Sequence, residues 1–61
     1  MNEKERMEIL EEIRLLKLIY KIHSEKNIIQ NEEERNKYLD QIIDRVKELE
    51  KVIKEDLDSF N

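Results

Sequence analysis

Apolar residues recur at steps of three and four along two stretches of this chain, and the two series are out of phase. In the second half, Leu39, Ile42, Val46, Leu49, Ile53 and Phe60 form a heptad seam. Leu39, Val46, Ile53 and Phe60 take the a positions, and Ile42 and Leu49 take d. Asp56 is the one polar member of the series. Ile43 and Leu57 widen the stripe on one flank, Tyr38 and Val52 on the other. A stripe this wide suits a helical bundle better than a bare two-stranded coiled coil.

The first half carries its own seam at Ile9, Ile13, Leu16, Tyr20 and His23. Extending that frame puts Asn27, Gln30, Glu34 and Lys37 at the next core sites, and all four are polar. A continuous helix would have to bury Glu34 and Lys37 without partners, which is costly. The pattern therefore predicts a break. Asn31 followed three residues later by Glu34 is an N-cap with a capping-box partner, and Glu32 and Glu33 suit the positive end of a helix dipole. Asn27 is expected to supply a left-handed C-terminal cap, since no glycine is present to do so. The expected chain is a helix over about 3–26, a connection over about 27–31 and a helix over about 32–58. A short connection between long helices makes them antiparallel neighbours.

Helix 1 has more apolar residues than one neighbour needs. At 100° per residue, Ile9, Ile13, Leu16, Ile19, Tyr20 and His23 share the arc expected to face helix 2. Met7, Leu15, Leu18 and Ile22 cluster on nearly the opposite side, where a lone hairpin would leave them in water. Contiguous apolar surface of this kind marks an interface. These four residues are the expected contact surface of a homodimer, in which two hairpins form an antiparallel four-helix bundle.

Composition supports the same all-α class, as a single helical-hairpin domain. Among 61 residues there is no Gly and no Pro, so tight hairpin turns and phosphate-cradling loops are nearly excluded. A chain this short buries only about 60% of its unfolded surface, and small domains make up the deficit with disulfides, metals or oligomerisation. The lack of cysteine removes disulfides and thiolate zinc sites, and fits a cytoplasmic protein. Met1 is expected to be the start of a complete small protein. No apolar run approaches the length of a membrane span, so no membrane association is expected.

Charge narrows the partners. Residues 1–30 balance six basic against six acidic groups, whereas residues 31–61 hold six basic and ten acidic groups and supply the whole net charge of −4. Affinity for phosphate backbones comes from Lys and Arg, so a nucleic-acid regulator is the least favoured class.

Candidate chemistry is sparse. His23 is the only histidine, and its expected role is a seam residue near the helix end, paired with a carboxylate or the last carbonyls. The Glu-x-x-His pattern of di-iron bundles is absent, because Tyr20 stands three residues before His23, so no metal or cofactor is expected. Ser24 and Ser59 have no visible base beside them. Tyr20 and Tyr38 fall near the loop end, where their expected role is to cap the bundle with hydroxyls in water. Asp40 and Asp44 lie one turn apart on the polar side of helix 2 with Lys47 and Lys51, a solvated face or a carboxylate offered to a partner.

The stretch "NKYLDQII", residues 36–43, resembles the signature of the small two-helix aspartyl-phosphate phosphatases that act on a sporulation response regulator. In that family the second helix carries a Ser-Gln-Glu-Leu-Asp motif followed by an apolar pair. Leu39 and Asp40 match the end of the motif, and Ile42 and Ile43 match the pair. Asn36, Lys37 and Tyr38 replace its first three residues, and Glu33 and Arg35 sit where apolar residues are expected. The resemblance implies a helical hairpin without a cofactor, with Asp40 as the catalytic residue orienting water toward a phospho-aspartate. The function classes are therefore a structural or regulatory interaction protein, such a phosphatase, and, last, a nucleic-acid regulator.

Overall fold

The structure, a computed structural model, describes residues 1–59 and consists of two α-helices, α1 over Glu3–Glu25 and α2 over Glu32–Asp58. Among the described residues there is no strand. Phe60, the last expected a position of the second seam, lies outside the described residues.

Both helices begin the same way. The Asn2 side-chain oxygen accepts from the Glu5 backbone N–H at 2.8 Å, and that of Asn31 accepts from the Glu34 N–H at 3.0 Å. Each bond satisfies one of the donors left over at a helix N-terminus. Glu3 and Glu5 on α1, and Glu32, Glu33 and Glu34 on α2, add negative charge beside the positive dipole end.

The end of α1 differs from expectation. Lys26 caps it in an extended conformation, its N–H donating to the Ile22 carbonyl at 2.9 Å. No described residue has a positive φ, so Asn27 is not a left-handed cap. Its side-chain oxygen instead accepts from Arg35 Nη1 at 2.6 Å. Arg35 also donates to the Ile29 carbonyl at 3.4 Å. The chain leaves α1 extended, and an arginine from the first turn of α2 reaches back to hold the connection, so no αL residue is required.

The helices pack antiparallel: Arg6 meets Asp56 at one end, and His23 meets Tyr38 at the other. Ile13, Ile42, Val46 and Leu49 are the buried core, with Ile9, Leu16, Ile19, Tyr20, Tyr38 and Ile53 packed around it. Leu39, nearer the connection, is half-buried. Apolar burial is what holds two such helices together, since a helix gains most of its stability in water from packing one face. The product is a rod with extents of 45 × 16 × 13 Å.

Candidate interaction surface

The polar member of the helix 2 seam finds partners from α1. Asp56 Oδ2 accepts from Arg6 Nη2 at 2.8 Å and from Nε at 3.0 Å, while Oδ1 lies 3.2 Å from the Met1 α-amino group. The Arg6 hydrogen bonds hold the Asp56 carboxyl below the usual carboxylate range, outweighing the opposing effect of desolvation. The seam positions of α1 run back from Ile9 by three residues to Arg6, and this is the signal that pairs it with Asp56. Reading the seams for apolar residues alone passes over it.

One broad side of the hairpin is bridged by charge. Arg45 of α2 lies 3.3 Å from Glu12 of α1 and 3.3 Å from Glu48 one turn along. The Glu12 charge, with a hydrogen bond to Glu48, raises the guanidinium above its ordinary value. The other broad side carries a shallow apolar groove. A depression of about 300 Å³ is lined by Tyr20, Ile43, Val46 and the stems of Lys17, Lys47 and Glu50. It shares Lys17 and Glu50 with a second depression of about 350 Å³ that reaches Leu10, Ile53 and Leu57. Ile43 and Leu57, which widen the helix 2 stripe, belong to this groove.

The outer arc of α1 lies in solvent. Met7 is 61% exposed, Leu15 49%, Leu18 52% and Ile22 39%. Beside Met7, a wide shallow depression of about 620 Å³ is lined by Glu3, Lys4, Glu8 and Glu11. The arc consists of helix positions that α2 does not reach.

At the loop end, His23 packs its ring against Tyr38, with centroids 4.9 Å apart and planes tilted by 56°. Its Nδ1 is buried without a hydrogen-bond partner, in place of the expected pairing with a carboxylate or terminal carbonyl. The last turn of α1 is served by Ser24 instead, whose hydroxyl donates to the Tyr20 carbonyl at 2.6 Å. Tyr20 and Tyr38 are both partly buried against the core. Asp40 is exposed on α2, as are Asp44, Lys47 and Lys51.

Among the described residues, no group of three or more His, Asp or Glu side chains is placed to hold a metal ion. Neither helix is long and apolar enough to cross a membrane. No family model matches the chain, and comparisons with curated proteins and with solved structures return no match.

Proposed function

We propose that this chain is a small protein–protein interaction module, structural or regulatory, whose amphipathic hairpins self-associate as a homodimer of four helices, with the two copies of α1 at its centre. The observation that carries this reading is the exposed arc of Met7, Leu15, Leu18 and Ile22 on α1. The dimensions support it. The radius of gyration is 14.1 Å, against about 10.5 Å for a compact chain of this length. The accessible surface is 5154 Å², against about 4,300 Å² for a folded monomer of this mass. The excess, roughly 850 Å², is comparable to what one partner contributes to a standard interface. Fully burying a Leu, Ile or Met side chain contributes about 1.5–3 kcal/mol, so covering the exposed remainder of these four weighs materially against the cost of association. Dimerisation through α1 leaves the groove at Ile43 and Leu57 open to a second protein. A reducing cytoplasm suits a chain without cysteine.

Sedimentation equilibrium tests this reading. The 7.6 kDa chain is expected to sediment at twice its mass, and its melting temperature is expected to rise with concentration. Leu18→Glu combined with Ile22→Glu is expected to give a folded monomer. A parent chain that remains monomeric at hundreds of micromolar overturns the proposal.

A second reading, dephosphorylation of a response regulator, is favoured by one observation: Asp40 stands exposed on the second helix of a helical hairpin. There its carboxylate would orient water for attack on a partner's phospho-aspartate. An unchanged phosphate lifetime across a panel of phosphorylated receivers removes this reading.

A further inference from the structure

We infer that the second copy docks antiparallel, α1 against α1, with its Ile22 seated in the depression beside Met7. The inference rests on the self-association proposed above and names its geometry.

The outer arc of α1 runs from Met7 to Ile22, so its midpoint falls beside Leu15. The helix itself runs from Glu3 to Glu25, and its midpoint falls at the same place. A two-fold axis there gives two copies of α1 their full overlap. Leu15 then lies near its symmetry mate, and Met7 of each copy lies level with Ile22 of the other. Such an interface uses one patch twice and closes on itself as a dimer.

Charge selects this direction over the parallel one. Residues 3–12 carry five carboxylates and two basic groups, while residues 13–26 carry four basic groups and one carboxylate. Residues 3–12 therefore carry a net charge of −3 and residues 13–26, which include the Lys26 cap, one of +3. Arg6 is engaged with Asp56 and Glu12 with Arg45, which removes one group of each sign and leaves a strong imbalance. An antiparallel pair sets each acidic half against a basic half, whereas a parallel pair sets like against like, an arrangement that costs affinity.

The depression beside Met7 gives that complementarity a local form. Its rim consists of Glu3, Glu8, Glu11 and one cation, Lys4. In the antiparallel register Ile22 of the second copy enters with Lys21 and Lys26 on either side. Lys21 then stands level with Glu8, Lys26 with Glu3 and Glu25 with Lys4, on opposite flanks of the contact. The attraction therefore acts between oppositely charged halves rather than through paired side chains. Glu11, the one charged residue inside the arc, already lies 3.9 Å from Arg14 at the edge.

Introduced cysteines give the test, because the chain has none of its own. Leu15→Cys is expected to form a disulfide-linked dimer under mild oxidation. Met7→Cys alone and Ile22→Cys alone are expected not to, because like positions would stand roughly 22 Å apart along the axis, far beyond the ~7 Å limit between bridged Cα atoms. An equimolar mixture of the two variants is expected to give the mixed disulfide. Self-linking at all three positions in a chain that sediments as a dimer means a parallel pair, and overturns this inference while the self-association stands. A parent chain that stays monomeric overturns both. A charge exchange supplies an independent readout at exposed positions. Lys21→Glu with Lys26→Glu is expected to weaken dimerisation about tenfold at low salt, and adding Glu3→Lys with Glu8→Lys is expected to restore it. Failure of that restoration, in variants that retain parental helicity, also overturns the antiparallel register.

Discussion

The two sides of α1 are built from the same residues and have opposite fates. Ile9, Ile13 and Leu16 face α2, and Ile13 is 8% exposed. Leu15, Leu18 and Ile22 differ from them little in chemistry, yet stand in water about 100° or more around the helix. What separates the two sets is position on the helix. A single partner helix covers one stripe of its neighbour, and anything beyond that stripe stays wet until another surface arrives. Apolar content alone therefore does not specify burial. It specifies a demand for burial, and here one neighbour meets about half of that demand.

The comparison breaks most sharply by truncation on each side. Ile13→Ala removes buried volume from a core of four residues and is expected to cost about 2–4 kcal/mol, enough to unfold much of a marginal hairpin in thermal melts followed by circular dichroism. Leu18→Ala, measured where the chain is monomeric, is expected to fall within about 0.5 kcal/mol of the parent. Its loss is expected to appear only at concentrations where the parent self-associates. Equal costs at low concentration would show that the two sides are not distinct.

A smaller effect is expected at the open end of the hairpin. Asp56 holds its proton more weakly in the folded chain than in the unfolded one, because Arg6 donates to its carboxylate. The stabilisation is complete above the ordinary carboxylate value of 3.8 and is lost as pH falls through the lowered folded value. Asp56→Asn is therefore expected to melt with a shallower acid dependence than the parent between about pH 5 and 2. Coincident acid limbs would show that the Arg6 contact adds nothing. Smallest of all, Asp40→Ala is expected to leave stability within about 0.5 kcal/mol, since Asp40 is exposed. A variant with parental melting and altered partner binding or receiver dephosphorylation would assign that carboxylate a function. Unfolding would mean that the polar side of α2 is misplaced.

The hairpin was legible because its signals are local. The loss of apolar frame after His23 and the Asn31–Glu34 cap lie within a few residues of the turn they define. Asn2 and Glu5 repeat that Asn-x-x-Glu spacing at the start of α1, a signal that the apolar frame alone passes over. The end of α1 was less so. Asn27 has the chemistry of a left-handed cap, but whether the chain turns there depends on Arg35, eight residues on, reaching back to it. His23 shows the same limit. Its place in the seam followed from spacing, while its neighbour, the Tyr38 ring, came from the register of a second helix.

By itself, then, the sequence determined what depends on neighbours along the chain: two helices, their N-terminal caps, the place of the connection between them and the stripe each presents. Those features arise from backbone donors and side chains a few residues apart, whose interactions are settled within one or two turns. Only the tertiary structure decided which residues satisfy one another across the hairpin. Arg6 and Asp56 are 50 residues apart; spacing places each on its own seam, and only the register of α1 against α2 sets them side by side. Nor does local pattern place the groove between Tyr20, Ile43 and Leu57 on one broad side and the Glu12–Arg45 bridge on the other. Rotation and register of one helix against another fix those contacts, and both are set by how the two stripes fit when packed.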